Sequence, residues 1–176
     1  MSRAHVDEHA LSAEEDVAPL KLPLPPGARN YMTPGGAARQ AEELRTLRSE
    51  RRPPLAAKVA AEPSSAAARR DLAVCDQRIA YLSRMQAILE VVEPAVHQSD
   101  RVLFGATVTV RQSPEGERRF RIVGVDEVAP GSGDASWISP IARALMGRRV
   151  GDTVRCNLPA GPVQLEVLSI EYGPVP

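Results

Sequence analysis

The sequence predicts an α+β protein in two parts: an antiparallel coiled-coil helical hairpin, then a compact domain of mixed strands and helix. Three observations carry that prediction. Residues 33–93 are rich in Ala, Arg, Glu and Leu and hold no glycine after Gly36. Apolar side chains there recur at spacings of three and four, the period of one helix face. Beyond Pro94 the period falls to two, as it does in half-buried strands.

Taken in order, residues 1–30 mix the acids Asp7, Glu8, Glu14, Glu15 and Asp16 with the stretch LKLPLPPGARN. Its prolines deny the backbone helical hydrogen bonds, so a disordered tail is expected. The hairpin is assigned to residues 31–93. Thr33 followed by Pro34 suits a helix start, a hydroxyl capping free amides and a proline at the first helical position. The first arm carries Ala37, Ala41, Leu44, Leu47, Leu55 and Val59, a weak stripe interrupted after Arg51 and Arg52 by Pro53-Pro54, which should kink or break the helix. AEPSSA, residues 61–66, is turn chemistry and puts the tip near Pro63. The second arm carries a seam of Leu72, Cys75, Ile79, Leu82, Met85, Leu89 and Val92 that needs a partner helix to cover it.

Residues 94–98 are read as a linker, and 99–176 as the second domain. LFGATVTVR and RRFRIVGV (118–125) alternate and are joined by the turn-like QSPEGE, which predicts an antiparallel pair. WIS is a short third strand, TVRCNL (153–158) a fourth and VQLEVLSIEY (163–172) a fifth, with PAGP turning between the last two. SPIARALMG reads as a short helix, with Ser139 capping, Pro140 first and Gly147 closing it in the left-handed conformation.

Composition narrows the function. The 176 residues carry 22 basic and 22 acidic groups, a formal net charge of zero, so nothing overall marks a polyanion binder. Aromatic side chains are 3% of the chain, too few for base-stacking platforms or an aromatic-lined ligand pocket. Two cysteines, Cys75 and Cys156, have no metal-ligand companion and are read as small buried hydrophobes in a reducing compartment, the cytoplasm. No apolar run is long enough to span a bilayer and no signal peptide is expected. His5 and His9 would bind a metal only if the tail were helical, and a tail without a ligand is preferred. His97 is read as a solvated linker residue. The arginine pairs 51–52, 69–70, 118–119 and 148–149 are read as solvated faces rather than nucleic-acid contacts.

RVLFGATVTVR, FRIVGVDEVAP, WISPIARALMGRRVGDTV and PAGPVQLEVLSIEY resemble, in order and spacing, the C-terminal domain of the bacterial GreA/GreB transcript-cleavage factors. LRSERRPPLAAKVA and DQRIAYLSRMQAILEVVE are similar to the family's two hairpin helices, so the likeness runs from Tyr31 to Tyr172. It implies an FKBP-like C-terminal domain that docks on RNA polymerase at the mouth of the secondary channel, with the hairpin reaching inward. The likeness assigns the docking surface to Ser139, Pro140, Ile141 and Ala142, with Arg143 beside them and Asp126 and Glu127 as an adjacent acidic loop. Isomerase activity does not follow from an FKBP-like fold.

In family members that stimulate cleavage, two tip carboxylates help hold a catalytic Mg²⁺, a hard dication that wants several oxygen ligands. Here the tip reads KVAAEPSSAAARRD, in which Glu62 is the sole acid before Asp71. Glu62 is the candidate ligand, and a solvated acid at a helix end is the preferred reading of it. The hairpin also looks shortened by about four to five residues per arm, roughly 7 Å of reach at the helical rise. The expectation is therefore an RNA polymerase-binding regulator without cleavage activity, similar in its short hairpin to Rnk-type members. It is expected to be monomeric, without metal or cofactor, and to meet nucleic acid only through the elongation complex. The alternative is an active GreB-type cleavage factor.

Overall fold

The computed structural model describes residues 21–94, 99–113, 115–159 and 161–173. Most of the predicted tail, with His5 and His9, and most of the 94–98 linker, with His97, lie outside the described residues.

The first arm begins with α1 (Pro34–Thr46), for which Thr33 is an extended N-cap whose hydroxyl oxygen accepts from the Gly36 amide at 3.1 Å. A π-helical turn over Leu47–Arg51 then leads into α2 (Arg52–Ala61), so the chain stays helical past the doubled proline. The Arg52 amide reaches back five residues to the Leu47 carbonyl. Pro53 and Pro54 have no amide to return to the preceding turn, and the widened π turn accommodates their rings. The second arm, α3 (Ala66–Ala87), starts on Ser65, whose side chain accepts from the Ala68 amide.

Cross-arm polar pairs hold the register: Arg78 to Glu43 at 2.7 Å, Arg48 to Ser83 at 2.8 Å and Arg52 to Asp76 at 2.7 Å. Each is exposed and worth little alone, so the apolar seam between them carries the stability. That seam buries Leu44, Ala68, Cys75, Leu82 and Met85, while Leu55, Val59, Leu72 and Ile79 are half-buried. Two expectations need correcting. Ala41 is exposed, and Gln40 takes the inward position beside it. Leu89 and Val92 are not part of the helical seam, because α3 stops at Ala87.

A parallel pair of three-residue strands stops it. β1 (Asn30–Met32) lies beside β2 (Leu89–Val91). The Asn30 amide donates to the Ile88 carbonyl at 2.8 Å, the Asn30 side-chain amide donates to the Met85 carbonyl at 3.2 Å, and the Val92 amide donates to the Met32 carbonyl at 2.9 Å. Carbonyls at the end of α3 thus find donors in β1 instead of in another helical turn. Val92 packs against the core of the second part.

That part is a five-stranded sheet in the order β5-β4-β3-β7-β6, from β3 (Thr107–Gln112), β4 (Gly116–Val123), β5 (Asp134–Ser136), β6 (Thr153–Leu158) and β7 (Gly161–Glu171). Neighbours are antiparallel except β4 and β5. The alternation in TVTVRQ and RRFRIV puts Val108, Val110, Phe120 and Ile122 into one core with Leu145, Leu165 and Val167, closed by α4 (Pro140–Leu145). Gly147 follows at φ +79°, the left-handed closure expected of it. The predicted WIS strand is displaced: pairing covers Asp134–Ser136 and ends where the Trp137 amide donates to the Val123 carbonyl at 3.0 Å.

Candidate functional site

The loop leaving β4 begins Gly124-Val125-Asp126-Glu127, and both of its acids turn back onto the hairpin. The Glu127 side chain is only 3% exposed. One carboxylate oxygen accepts from the Thr33 amide at 3.0 Å and the Gly124 amide at 2.9 Å, and the other accepts from the Thr33 hydroxyl. Arg39 stands 3.9 Å away. The carboxylate therefore sits on the open end of α1, where free amides and the helix dipole favour a negative charge. No acid of α1's own first turn does this.

Two glycines make the approach possible. A Cβ on Gly36 would come within 2.1 Å of a Glu127 oxygen, and one on Gly124 within 2.6 Å of the Tyr31 carbonyl and 2.7 Å of Glu127. Asp126 grips both arms: it accepts from the Tyr81 hydroxyl on α3 at 2.8 Å and from the Gln40 side chain on α1 at 3.2 Å. Burial, then the hydrogen bond to Asp126 and its charge, push the Tyr81 phenol above its ordinary range, while Arg78, 5.3 Å above the ring, pulls the other way. An aromatic trio completes the junction. Tyr31 of β1 meets Trp137 edge-on at 5.4 Å between centroids and Phe104 at 6.1 Å.

The sequence expectation that Asp126 and Glu127 face an external partner is thus not how Glu127 is used: its carboxylate is enclosed and bonded within the chain. The remaining predicted docking residues divide. Pro140 and Arg143 are exposed, Ser139 and Ile141 are half-buried, and Ala142 is fully buried in the sheet core. Ala142 therefore supports α4 from beneath and has no surface to offer. Ser139 caps α4, its hydroxyl accepting from the Ala142 amide at 3.2 Å. Pro140 and Arg143 are the two positions of the motif that present themselves to solvent.

At the far end of the hairpin, Glu62 ends α2 in an exposed turn. Its carbonyl accepts from the Ser65 amide at 3.0 Å, and the Arg69 guanidinium donates to the Pro63 carbonyl. The next acid, Asp71, lies across the turn on the returning arm, five residues beyond the start of α3 at Ala66, so about 8 Å down the rod at the helical rise. Among the described residues no three of His, Cys, Asp and Glu gather into a metal-sized group.

Members of the arginine pairs have partners on the protein itself. Arg52 meets Asp76, Arg119 meets Glu171 at 2.9 Å, Arg149 meets Asp100 at 2.8 Å, and Arg118 lies over Phe120. A cleft of about 650 Å³ beside β4 is lined by Arg119, Arg121, Asp134 and Glu171, whose charges already pair with one another. Cys75 and Cys156 are free and buried, and burial raises the Cys156 thiol above its ordinary range. No helix among the described residues is long and apolar enough to cross a membrane.

A helical rod clamped at its base onto a small sheet is an arm-and-platform protein, which holds an apex at a set distance from a globular base. The model of the C-terminal part of the GreA/GreB transcription elongation factors matches residues 97–172. The chain is 35% identical over 154 residues to the transcription elongation factor GreB of Neisseria meningitidis serogroup A, an overlap of 82% of this chain and 94% of that protein. To the GreB of Xanthomonas axonopodis pv. citri it is 39% identical over 160 residues, 84% of this chain and 95% of that one. The chain belongs to the GreA/GreB family of transcription elongation factors. A solved GreA/GreB structure from Nitrosomonas europaea is similar over 82% of this chain and all 100% of its own, at 21% identity and a TM-score of 0.38, too loose to carry residue positions across.

Proposed function

We propose that this protein is an RNA polymerase-binding regulator of elongation that docks at the secondary channel through an FKBP-like sheet domain and does not stimulate transcript cleavage. The observation that carries the second half of this reading is the apex: its turn holds one exposed carboxylate, Glu62, and the next acid, Asp71, stands about 8 Å down the returning arm at the helical rise. Charge at a reacting phosphodiester is neutralised by a metal held between several oxygen ligands, and a lone carboxylate gives such an ion little to hold it. The outer surface of α4, with Pro140 and Arg143 exposed over a buried Ala142, is the proposed docking face. The protein acts as a cytoplasmic monomer, meets nucleic acid only through the elongation complex, and works by occupancy, its effect scaling with concentration over Kd.

The test uses backtracked elongation complexes with labelled RNA. Short 3′ fragments should not exceed the intrinsic level at saturating protein. Added before a cleavage-competent relative, the protein should slow that factor in proportion to its own occupancy. Fragments that appear with the wild-type chain and vanish with Glu62→Ala would reverse the reading in favour of a cleavage factor. Docking is tested separately by Pro140→Asp. An acid at the first helical position suits the dipole, so the domain should stay folded while polymerase binding weakens.

A further inference from the structure

We infer that Asp126 and Glu127 form a two-pronged clasp that sets the angle at which the hairpin leaves the sheet domain, and that they act as positioning residues for its distant apex. The two prongs engage different arms. Glu127 caps the start of α1 through the Thr33 amide and hydroxyl, and Asp126 holds Tyr81 of α3 and Gln40 of α1. A contact to one helix alone would leave the rod free to pivot about it; contacts to both fix its tilt.

Three observations at separate places in the sequence agree. Gly36 has no room for a Cβ because Glu127 lies against it, and Gly124 has none because Glu127 and the Tyr31 carbonyl do. The first turn of α1 lacks an acid of its own, so its capping charge comes from a residue 94 positions away. The Glu127 side chain is 3% exposed although it is ionisable, which is sustainable because its carboxylate oxygens receive three hydrogen bonds.

Leverage gives the clasp its consequence. The 22 residues of α3 make a lever of roughly 33 Å, so a tilt of about 10° at the base carries the apex about 6 Å sideways. An apex that must enter a confined space is far more sensitive to that angle than to any side chain of its own.

The experiment measures the angle in the free, full-length protein, so its result is independent of whether polymerase is the partner. Spin labels on Ser64→Cys at the apex and Gln164→Cys on β7, both exposed positions, report the distance between them by pulsed electron resonance, Cys75 and Cys156 being buried. The wild-type clasp should give one narrow distribution. Glu127→Ala and Gly36→Ala should each broaden it or move its centre by up to about 6 Å, the full displacement expected of a roughly 10° tilt. Glu127→Gln, which keeps the shape and an acceptor oxygen, should retain most of the narrow population. Tyr81→Phe removes one prong's donor with the ring in place and should broaden the distribution less. An unchanged distribution in Glu127→Ala and Gly36→Ala, with native circular dichroism, would overturn the inference. Broadening that accompanies loss of the sheet's own signal would also count against it, since the effect would then be unfolding rather than positioning.

Discussion

At the base of the hairpin the Glu127 side chain is enclosed and receives three hydrogen bonds, whereas at the apex Glu62 ends α2 as an exposed residue. The surroundings differ in the same sense. Leu82, Met85 and Met32 at the base are 0–1% exposed, while α2, which leads to the apex, buries no residue at all. The comparison teaches that this chain concentrates its order where the rod is anchored and leaves the apex to a capped turn. The acids at the base, Asp126 and Glu127, are spent on bonds within the chain.

The comparison can be broken most directly in the anchored end. Leu82→Ala should cost about 3 kcal/mol in urea unfolding, the range for a fully buried leucine that leaves a cavity. A loss below about 1 kcal/mol would mean that the base is as loosely packed as the apex. Gly36→Ala should cost about 2 kcal/mol, because the new methyl group collides with a carboxylate that is itself held by three donors. In a Glu127→Ala background the same change should cost much less, a non-additivity that unfolding of the four proteins measures. Thr33→Ala should cost about 1–2 kcal/mol, since it removes the α1 cap and one donor to Glu127 together.

A smaller effect sharpens the contrast by pH. The Tyr81 phenol is raised in the folded state by burial first and by Asp126 second, so folding favours its protonated form. Its contribution should be fully present below the ordinary tyrosine pKa of about 10 and decline as pH climbs above it toward the folded value. The stability difference between wild type and Tyr81→Phe, less than about 1 kcal/mol after solvent screening, should therefore shrink between pH 9 and 11 in thermal melts, pH values chosen to bracket that ordinary pKa of about 10. Smallest of all, Glu62→Ala should change unfolding by no more than about 0.5 kcal/mol, as expected of an exposed side chain. A larger loss would show that the apex is built on that acid after all.

Local rules were readable where the interaction was local. Thr33-Pro34 and Ser139-Pro140 announce their helices because a cap acts over three residues, and the alternation of TVTVRQ announces a strand because its two faces meet different surroundings. The family likeness was readable from motifs in the sheet domain. The parallel pairing of Asn30–Met32 with Leu89–Val91 was not, since three residues carry no periodicity and the partners lie 59 positions apart. Leu89 and Val92 continue the helical spacing numerically, and only the donors of β1 end the helix before them. Asp126 and Glu127 read as free surface acids because the groups that bond them, Thr33, Gln40 and Tyr81, come from another part of the chain; Asp126 is indeed exposed, and only Glu127 is enclosed. Two signals did point there: the pair Gly35-Gly36 in the first turn of a helix otherwise free of glycine, and scarce aromatic residues of which Tyr31, Tyr81, Phe104 and Trp137 all lie at this junction.

The π turn at Leu47–Arg51 has one more effect. It inserts a residue into the winding of the first arm, and one residue of an α-helix corresponds to about 100° of rotation. Deleting a single residue there would shorten the arm by only about 1.5 Å but swing everything beyond it, Glu62 included, to a different azimuth around the rod. The five-residue turn therefore works as a phase adjuster, choosing which side of the apex faces which way while leaving its reach almost unaltered.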